Sequence, residues 1–322
     1  MRALVAALGC GLLAIAAAPG CMLKTDDDAS RFRQAIPQSS DVQLSIPKGS
    51  TAGATTASFH VKGGDTPAAY AKYYRFTRDM ADIVGFGTAE ILGLVWIIVH
   101  SPPTHVDSKH AVWGPGNGNA LDPVVWRMTV TEVGSDEYEY VLAGRPKAST
   151  AEADFKPILT GHGWGDAHPM HRRGTFAWDN EAYRSLDPAR AKDDGSVSVE
   201  FDLRTYPATI TAESHTALDA KGWFKVGVTH QKDGGGAVDV TALGDIDDSK
   251  ATKLENVGIK SRWDLTGAGR ADVQITGGDA PSEIDATECW SSSFYRVYYK
   301  DTVSFEPTSG TESACAFSAS TF

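Results

Sequence analysis

The sequence contains few cysteines and lacks the short motifs that mark several common classes of enzyme. Its four cysteines, among 322 residues, form no Cys-x-x-Cys pair, and Gly-x-Ser-x-Gly, His-Glu-x-x-His and the phosphate-binding glycine loop are also absent. These absences exclude the usual signatures of thiol redox enzymes, α/β-hydrolases, zinc proteases and P-loop enzymes. A serine triad assembled in space stays open, because triads are spatial and serines are plentiful.

An excess of positive charge is lacking too. The chain has 30 lysines and arginines against 41 acidic residues, a formal net charge of −11. Such a surface repels nucleic acid and anionic membrane surfaces, so we predict neither as a direct partner.

Long apolar runs are scarce, and the first of them lies at the N-terminus. Arg2 precedes an apolar stretch from Ala3 to Ala18, which has the length of a signal-peptide core and is too short to span a bilayer. The stretch ends in Ala18-Pro19-Gly20-Cys21. This sequence resembles the lipobox of bacterial lipoproteins, with Ala18 where leucine is usual and Pro19 at an uncommon position. The resemblance implies export, acylation of Cys21 and a membrane as partner through the lipid anchor.

The cysteine count agrees with that prediction. Cys10 leaves with the signal peptide, and pairing of Cys289 with Cys315 in an oxidising compartment leaves Cys21 over. Cleavage after Ala18 is the alternative, and it would leave Cys21 as an incidental thiol of a soluble periplasmic or secreted protein. Met22 stands where an aspartate retains enterobacterial lipoproteins at the inner membrane, so that resemblance favours the outer membrane, on its periplasmic side or at the cell surface.

Three segments follow from this. Residues 1–20 are predicted to be a signal peptide, residues 21–64 an acylated cysteine with a flexible tether rich in small and polar residues, and residues 65–322 a single β-rich domain. A helix is predicted to begin at Thr66 and Pro67, which suit a cap and a first helical position, and to bend or break at Gly85 and Gly87.

The second apolar run, Ile91 to Val99, is apolar on every face and is predicted to be a core helix. From Val124 onward, ten or eleven short alternating runs are separated by turn residues, a pattern typical of an antiparallel meander. We therefore predict a mainly β fold with a minor α part, in which an antiparallel β-meander curls into a barrel or half-barrel around an N-terminal hydrophobic helix.

That layout resembles, in architecture alone, the half-barrel carriers of the bacterial lipoprotein-localisation machinery and the mycobacterial lipid-binding lipoproteins. The resemblance implies a cavity for a lipid or other hydrophobic small molecule. The predicted lining comes from the apolar helix and consists of Ile91, Leu94, Val95 and Ile98.

A glycine-rich segment concentrates histidine. It carries His162, Asp166, His168 and His171, whose imidazoles and carboxylate suit zinc or another divalent ion. The spacing matches no established metal motif, and Arg172 lies next to it. A solvated hairpin loop is the alternative to a metal site.

A second cluster lies in a proline-rich connection. It contains His100, His105, Asp107 and His110, and a satisfied loop is the alternative to a binding site there.

The sequence thus favours an exported, lipid-anchored protein without catalytic activity and without a cofactor, which binds a hydrophobic ligand. Two alternatives stay open. One is a metal-dependent hydrolase using His162, His168 and His171, and the other is a surface module that binds an unidentified protein and has no cavity.

Overall fold

The described residues form a single long antiparallel sheet and three α-helices. The computed structural model describes residues 25–42, 70–117, 120–165, 172–189, 195–215, 222–244, 253–278, 280 and 282–318. Its helices are α1 (Thr25–Gln34), α2 (Lys72–Val99) and α3 (Asn180–Leu186). The strands are β1 (His105–Val106), β2 (His110–Gly116), β3 (Val124–Gly134), β4 (Glu137–Pro146), β5 (Lys156–Gly165), β6 (Arg172–Asp179), β7 (Ser196–Asp202), β8 (Ala208–His215), β9 (Trp223–His230), β10 (Gly236–Gly244), β11 (Glu255–Trp263), β12 (Gly269–Gly277), β13 (Ile284–Trp290), β14 (Arg296–Asp301) and β15 (Ser309–Gly310).

The sheet is a meander, as the sequence predicts. Every strand pairs antiparallel with its neighbours in the chain, in the order β1 to β15, and β1 and β15 are its two edges, so the sheet is open. Helix α2 packs against β2 and β3 on one side and against β9 and β11 to β13 on the other. Strands β4 to β8 are not among its main neighbours in the described structure, which requires the sheet to curl around the helix. A half-barrel around a helix is therefore confirmed.

The register places the apolar residues on the face towards the helix. Because side chains alternate along a strand, residues paired across the strands form rows on one face. One row, buried except for the partly buried Gly161, crosses ten strands through Tyr140, Gly161, Phe176, Val199, Ala212, Val226, Val240, Ile259, Val273 and Ala286. Gly161 is required there, because a Cβ atom would lie 2.2 Å from the Tyr140 ring.

Four strands and one helix differ from the prediction, since β13 and β15 are additional to the ten or eleven strands predicted from Val124 onward. Strands β1 and β2 precede Val124, and the sequence pattern missed them because Pro115 and two glycines interrupt β2. Helix α2 begins at Lys72, while Thr66 and Pro67, where the predicted helix starts, lie outside the described residues. The helix runs through Gly85 and Gly87 without a break. Glycine inside a helix costs only about 1 kcal/mol, which is too little to end a helix of 28 residues.

Residues 25–42 also differ from the predicted tether. Helix α1 contributes the fully buried Ala29 and Phe32 to the core, and the Phe32 ring packs edge-on against Tyr138 at 5.9 Å between ring centroids. Arg172 Nη1 lies 2.9 Å from Asp41 Oδ2 and joins this segment to β6. The composition of the segment concealed an amphipathic pattern, while residues 43–64 and Cys21 lie outside the described residues.

The C-terminal segment is attached to the sheet through sulfur. The Sγ atoms of Cys289, in β13, and Cys315 are 2.15 Å apart, so the predicted pair is at disulfide distance. Closing a loop with a separation of 26 residues is worth roughly 3.5 kcal/mol in the chain-entropy account.

The start of helix α2 is capped from another element. The helix's own N-cap residue is Ala71, whose side chain forms no capping hydrogen bond. Instead, the backbone N–H of Tyr73 donates to Glu288 Oε2 at 2.5 Å, across 215 residues of sequence. The other carboxylate oxygen of Glu288 accepts from Arg296 Nε at 2.6 Å. A strand residue therefore satisfies the helix terminus and places it over β13.

Glu306 extends this buried network. Its carboxylate accepts from Arg296 Nη1 and from Lys72 Nζ, both at 2.6 Å. Burial by itself raises the pKa of Glu306, but the hydrogen bonds from Lys72 and Arg296 outweigh burial and hold the pKa below its ordinary value of 4.5. Burial raises the pKa of Glu288, while Arg296 and the helix N–H groups act in the opposite direction.

We expect Glu288→Gln to lower the free energy of unfolding by about 3 kcal/mol, because it removes a charge from a buried ion pair and weakens the helix cap. Urea denaturation measures the change. Glu283→Gln, at an exposed position five residues earlier, is the matched control and should change stability by less than about 0.5 kcal/mol. A loss below about 1 kcal/mol for Glu288→Gln would contradict its anchoring role.

The pKa of Glu306 also predicts an acid-sensitive stability. Its pKa is lower in the folded than in the unfolded protein, so its contribution is present above pH 4.5 and is lost as the pH falls through the folded value. Denaturation midpoints, measured at a series of pH values from pH 6 downward, should decrease once the pH is below about 4.5. In that pH range the midpoints of Glu306→Gln should depend less on pH. An identical pH profile for the variant and the natural protein would contradict this assignment.

Candidate ligand-binding groove

A groove of about 390 Å³ runs between the C-terminal half of α2 and the segment that follows α1. Its helical wall consists of Leu92, Gly93, Trp96, Val99 and His100, and the opposite wall includes Arg33, Ile36 and Pro37. Leu92 and Val99 are almost fully buried, while Trp96 is 54% exposed. The groove therefore has an apolar floor, an indole along one side and polar groups at its rim.

Gly93 leaves part of the groove open. A Cβ atom built on Gly93 meets no atom within 4 Å, so glycine leaves room in the groove without a steric need for it. Trp96 is held beside this space, because its ring stacks on His100 at 4.0 Å between centroids and its carbonyl oxygen lies 2.8 Å from His100 Nδ1.

Arg33 joins the two walls. Its Nε donates to the carbonyl oxygen of Val99 at 2.8 Å, and Nη2 donates to that of Ser101 at 3.4 Å. These bonds satisfy carbonyl groups at the end of α2 and place a guanidinium near the groove. A ligand with an apolar body and a polar end matches this arrangement.

The residues predicted to line a hydrophobic cavity lie on another face of the same helix. Val95 is fully buried, and Ile91, Leu94 and Ile98 are partly buried and pack against the core. The groove is lined instead by Leu92, Trp96 and Val99, which are spaced by four and three residues. Sequence reasoning missed these three, although a glycine three residues before a tryptophan in an apolar helix was an available signal.

The histidine-rich segment is described only in part. His162 Nε2 lies 3.1 Å from Glu137 Oε1, and the His162 ring packs edge-on against Trp164 at 4.0 Å between centroids. Trp164 Nε1 donates to the same Glu137 oxygen at 3.1 Å. Asp166, His168 and His171 lie outside the described residues, so the predicted metal site stays a prediction. Within the described ranges, no group of three or more His, Cys, Asp or Glu side chains is arranged to hold a metal ion.

His162 also borders an open groove of about 700 Å³ on the outer face of β4 to β9. Glu139, Thr175, Glu200 and Thr211 line it, and they belong to the row of residues paired with His162 across the strands. This surface can exchange hydrogen bonds with a polar solute.

The second histidine cluster forms around one carboxylate. Asp107 Oδ2 lies 3.2 Å from His105 Nε2, and Asp107 Oδ1 lies 3.1 Å from His110 Nδ1. The backbone N–H of Lys109 and the hydrogen bond with His105 hold the pKa of Asp107 well below its usual range. The fourth predicted member, His100, lies instead against Trp96. The cluster is thus an exposed turn whose charged group is satisfied locally.

Comparisons with known proteins provide no assignment for these sites. We found no match to this chain among models of protein families, among curated proteins or among solved structures. Of the helices in the described ranges, none combines the length and apolarity needed to cross a bilayer.

Proposed function

We propose that the protein is an exported, lipid-anchored binding protein, without catalytic activity, that takes a hydrophobic or amphiphilic ligand in the groove between α2 and residues 33–39. The observation that carries this proposal is the groove itself, with its apolar floor at Leu92 and Val99 and its exposed indole at Trp96. Burial of apolar surface contributes about 25 cal/mol per Å², so a half-exposed tryptophan beside an apolar floor favours an acyl chain or a ring.

The anchor belongs to the same proposal. Acylation of Cys21 would hold the domain at the outer membrane, on its periplasmic side or at the cell surface, and the acidic net charge of −11 opposes direct binding of the domain to an anionic membrane. A groove close to a bilayer would exchange a hydrophobic ligand with it at short range.

A surface module without a cavity is the second candidate, and one observation favours it. The concave face of the sheet is filled by α2 and by large buried side chains such as Trp113 and Trp290. The hydrolase alternative depends on Asp166, His168 and His171, and the described member of that set, His162, is engaged with Glu137.

We expect Gly93→Leu to weaken binding of a fluorescent fatty acid by at least about tenfold, because the new side chain occupies the groove. No atom lies within 4 Å of the added Cβ, and leucine has a higher helix propensity than glycine, so the variant should unfold at the same or a higher temperature. Fluorescence titration measures the affinity.

Ile97→Leu is the matched control, because Ile97 is 64% exposed on the same helix and does not line the groove. Its affinity should equal that of the natural protein. Absence of fatty-acid binding to the natural protein would overturn the groove proposal and favour the surface module.

We expect Cys21→Ser to release the protein from the membrane fraction, because the residue that carries the lipid is lost. Cys10→Ser should remain membrane-bound, since Cys10 lies in the predicted signal peptide. Fractionation and intact-mass analysis measure both outcomes. A mature chain that begins at Pro19 with an unmodified Cys21 would refute the anchor.

A further inference from the structure

The groove between α2 and residues 33–39 has a lining of unusual charge for this chain. Among the described residues that form it there is an arginine, Arg33, and neither aspartate nor glutamate. The chain as a whole has 41 acidic residues against 30 lysines and arginines. Asp41, the one carboxylate of residues 33–42, does not line the groove and pairs with Arg172 at 2.9 Å. A bound ligand therefore meets a cation and no carboxylate.

Two contributions of opposite sign act at this end of the groove. The C-terminal end of α2 carries the equivalent of about half a negative charge from its peptide dipoles. The Arg33 guanidinium carries a full positive charge, so the sum is positive. Its bonds to the carbonyl oxygens of Val99 and Ser101, at 2.8 and 3.4 Å, hold the side chain in place. A side chain that is already ordered loses less entropy when it binds a ligand.

The size of the groove limits the apolar part of the ligand. A water molecule takes up about 30 Å³ in the liquid, and a methylene group is of similar size. The 390 Å³ of the groove therefore hold roughly 13 such groups. This is enough for one acyl chain of about a dozen carbons and too little for the two chains of a membrane phospholipid.

The number of charges limits the polar part of the ligand. A planar guanidinium matches one carboxylate, which accepts two parallel N–H bonds from it. A phosphate monoester carries about −1.5 to −2 charges and needs more than one cation to balance them. With Arg33 as the charged residue of the lining, the geometry favours a carboxylate.

We propose that the groove binds an unesterified fatty acid of about a dozen carbons, with its chain along Leu92, Gly93 and Trp96 and its carboxylate beside Arg33. This inference rests on the proposed function, because it names the chemical class of ligand for the same groove. The rest of the rim is able to donate hydrogen bonds to the carboxylate, through Gln34, Gln38, Ser39 and His100.

The first test compares four probes of one chain length on the full-length protein: dodecanoate, dodecanol, dodecyl phosphate and dodecyltrimethylammonium. We expect dodecanoate to bind at least about tenfold more tightly than dodecanol in titration calorimetry, because it alone forms charge-assisted hydrogen bonds of the right number. The cationic probe should bind more weakly than dodecanol. Equal binding of dodecanoate and dodecanol would overturn the anionic head, and tighter binding of dodecyl phosphate would overturn the carboxylate.

Gln34→Glu tests the charge without changing the shape of the side chain. Position 34 is exposed and lines the groove, so the variant places a carboxylate at its rim. Dodecanoate should bind about threefold more weakly, while the affinity for dodecanol stays the same and reports an intact groove. Gln231→Glu is the matched control, because it adds the same charge at an exposed position after β9, outside the groove. Equal effects of the two variants on dodecanoate would contradict the placement of its head.

Chain length provides a second readout. Each added methylene should tighten binding about fourfold from octanoate to dodecanoate, and the gain should stop beyond about 13 carbons. A gain that continues to octadecanoate would contradict the limit on chain length. If neither dodecanoate nor dodecanol binds the natural protein, the proposed function fails with this inference. If both bind equally and Gly93→Leu blocks them, the groove proposal stands and only the fatty-acid head fails.

Discussion

The buried carboxylate of Glu288 connects the parts of this fold that are distant in sequence. Each strand of the sheet pairs with its neighbours along the chain, and this pairing alone does not fix the curvature of the sheet. Helix α2 fixes the curvature, because it packs against strands on both sides of the curved sheet. Its position depends on Glu288, which accepts from the backbone N–H of Tyr73 on one oxygen and from Arg296 on the other. A charge buried at this depth is costly unless every oxygen is bonded, so the contact tolerates only one placement of the helix.

The sheet was predictable because its information is local. Alternation of apolar and polar residues from Val124 onward predicts the meander, and turn residues predict where its hairpins lie. The start of α2 was not predictable in this way, because the residue that caps it is 215 positions away and no local pattern reports such a contact. Strand β2 was missed because Pro115 interrupts its local strand pattern. Pairing with β3 stabilises the strand nevertheless.

For the pairing of cysteines and for the candidate site, too, one feature was predictable from the sequence and another was not. Pairing of Cys289 with Cys315 followed from the cysteine count, which is a property of the sequence alone. The wall of the groove did not, because a helix segment that is apolar all round gives no periodic signal of which face is buried. Packing against the sheet buries Val95, and the segment after α1, assigned to a tether by its composition, completes the groove at Ile36 and Pro37.

The long separation between Tyr73 and Glu288 also sets an order of events in time. A chain is synthesised from its N-terminus, so the apolar segment Ile91 to Val99 emerges long before strands β11 to β13, against which α2 packs. Hairpins of the meander can close one by one as they appear, because their partners are adjacent. Helix α2 cannot complete its packing until the last of these hairpins has formed. Throughout that interval the apolar surface of α2 can form non-native contacts. Folding of this protein therefore depends on α2 avoiding such contacts until strands β11 to β13 are available.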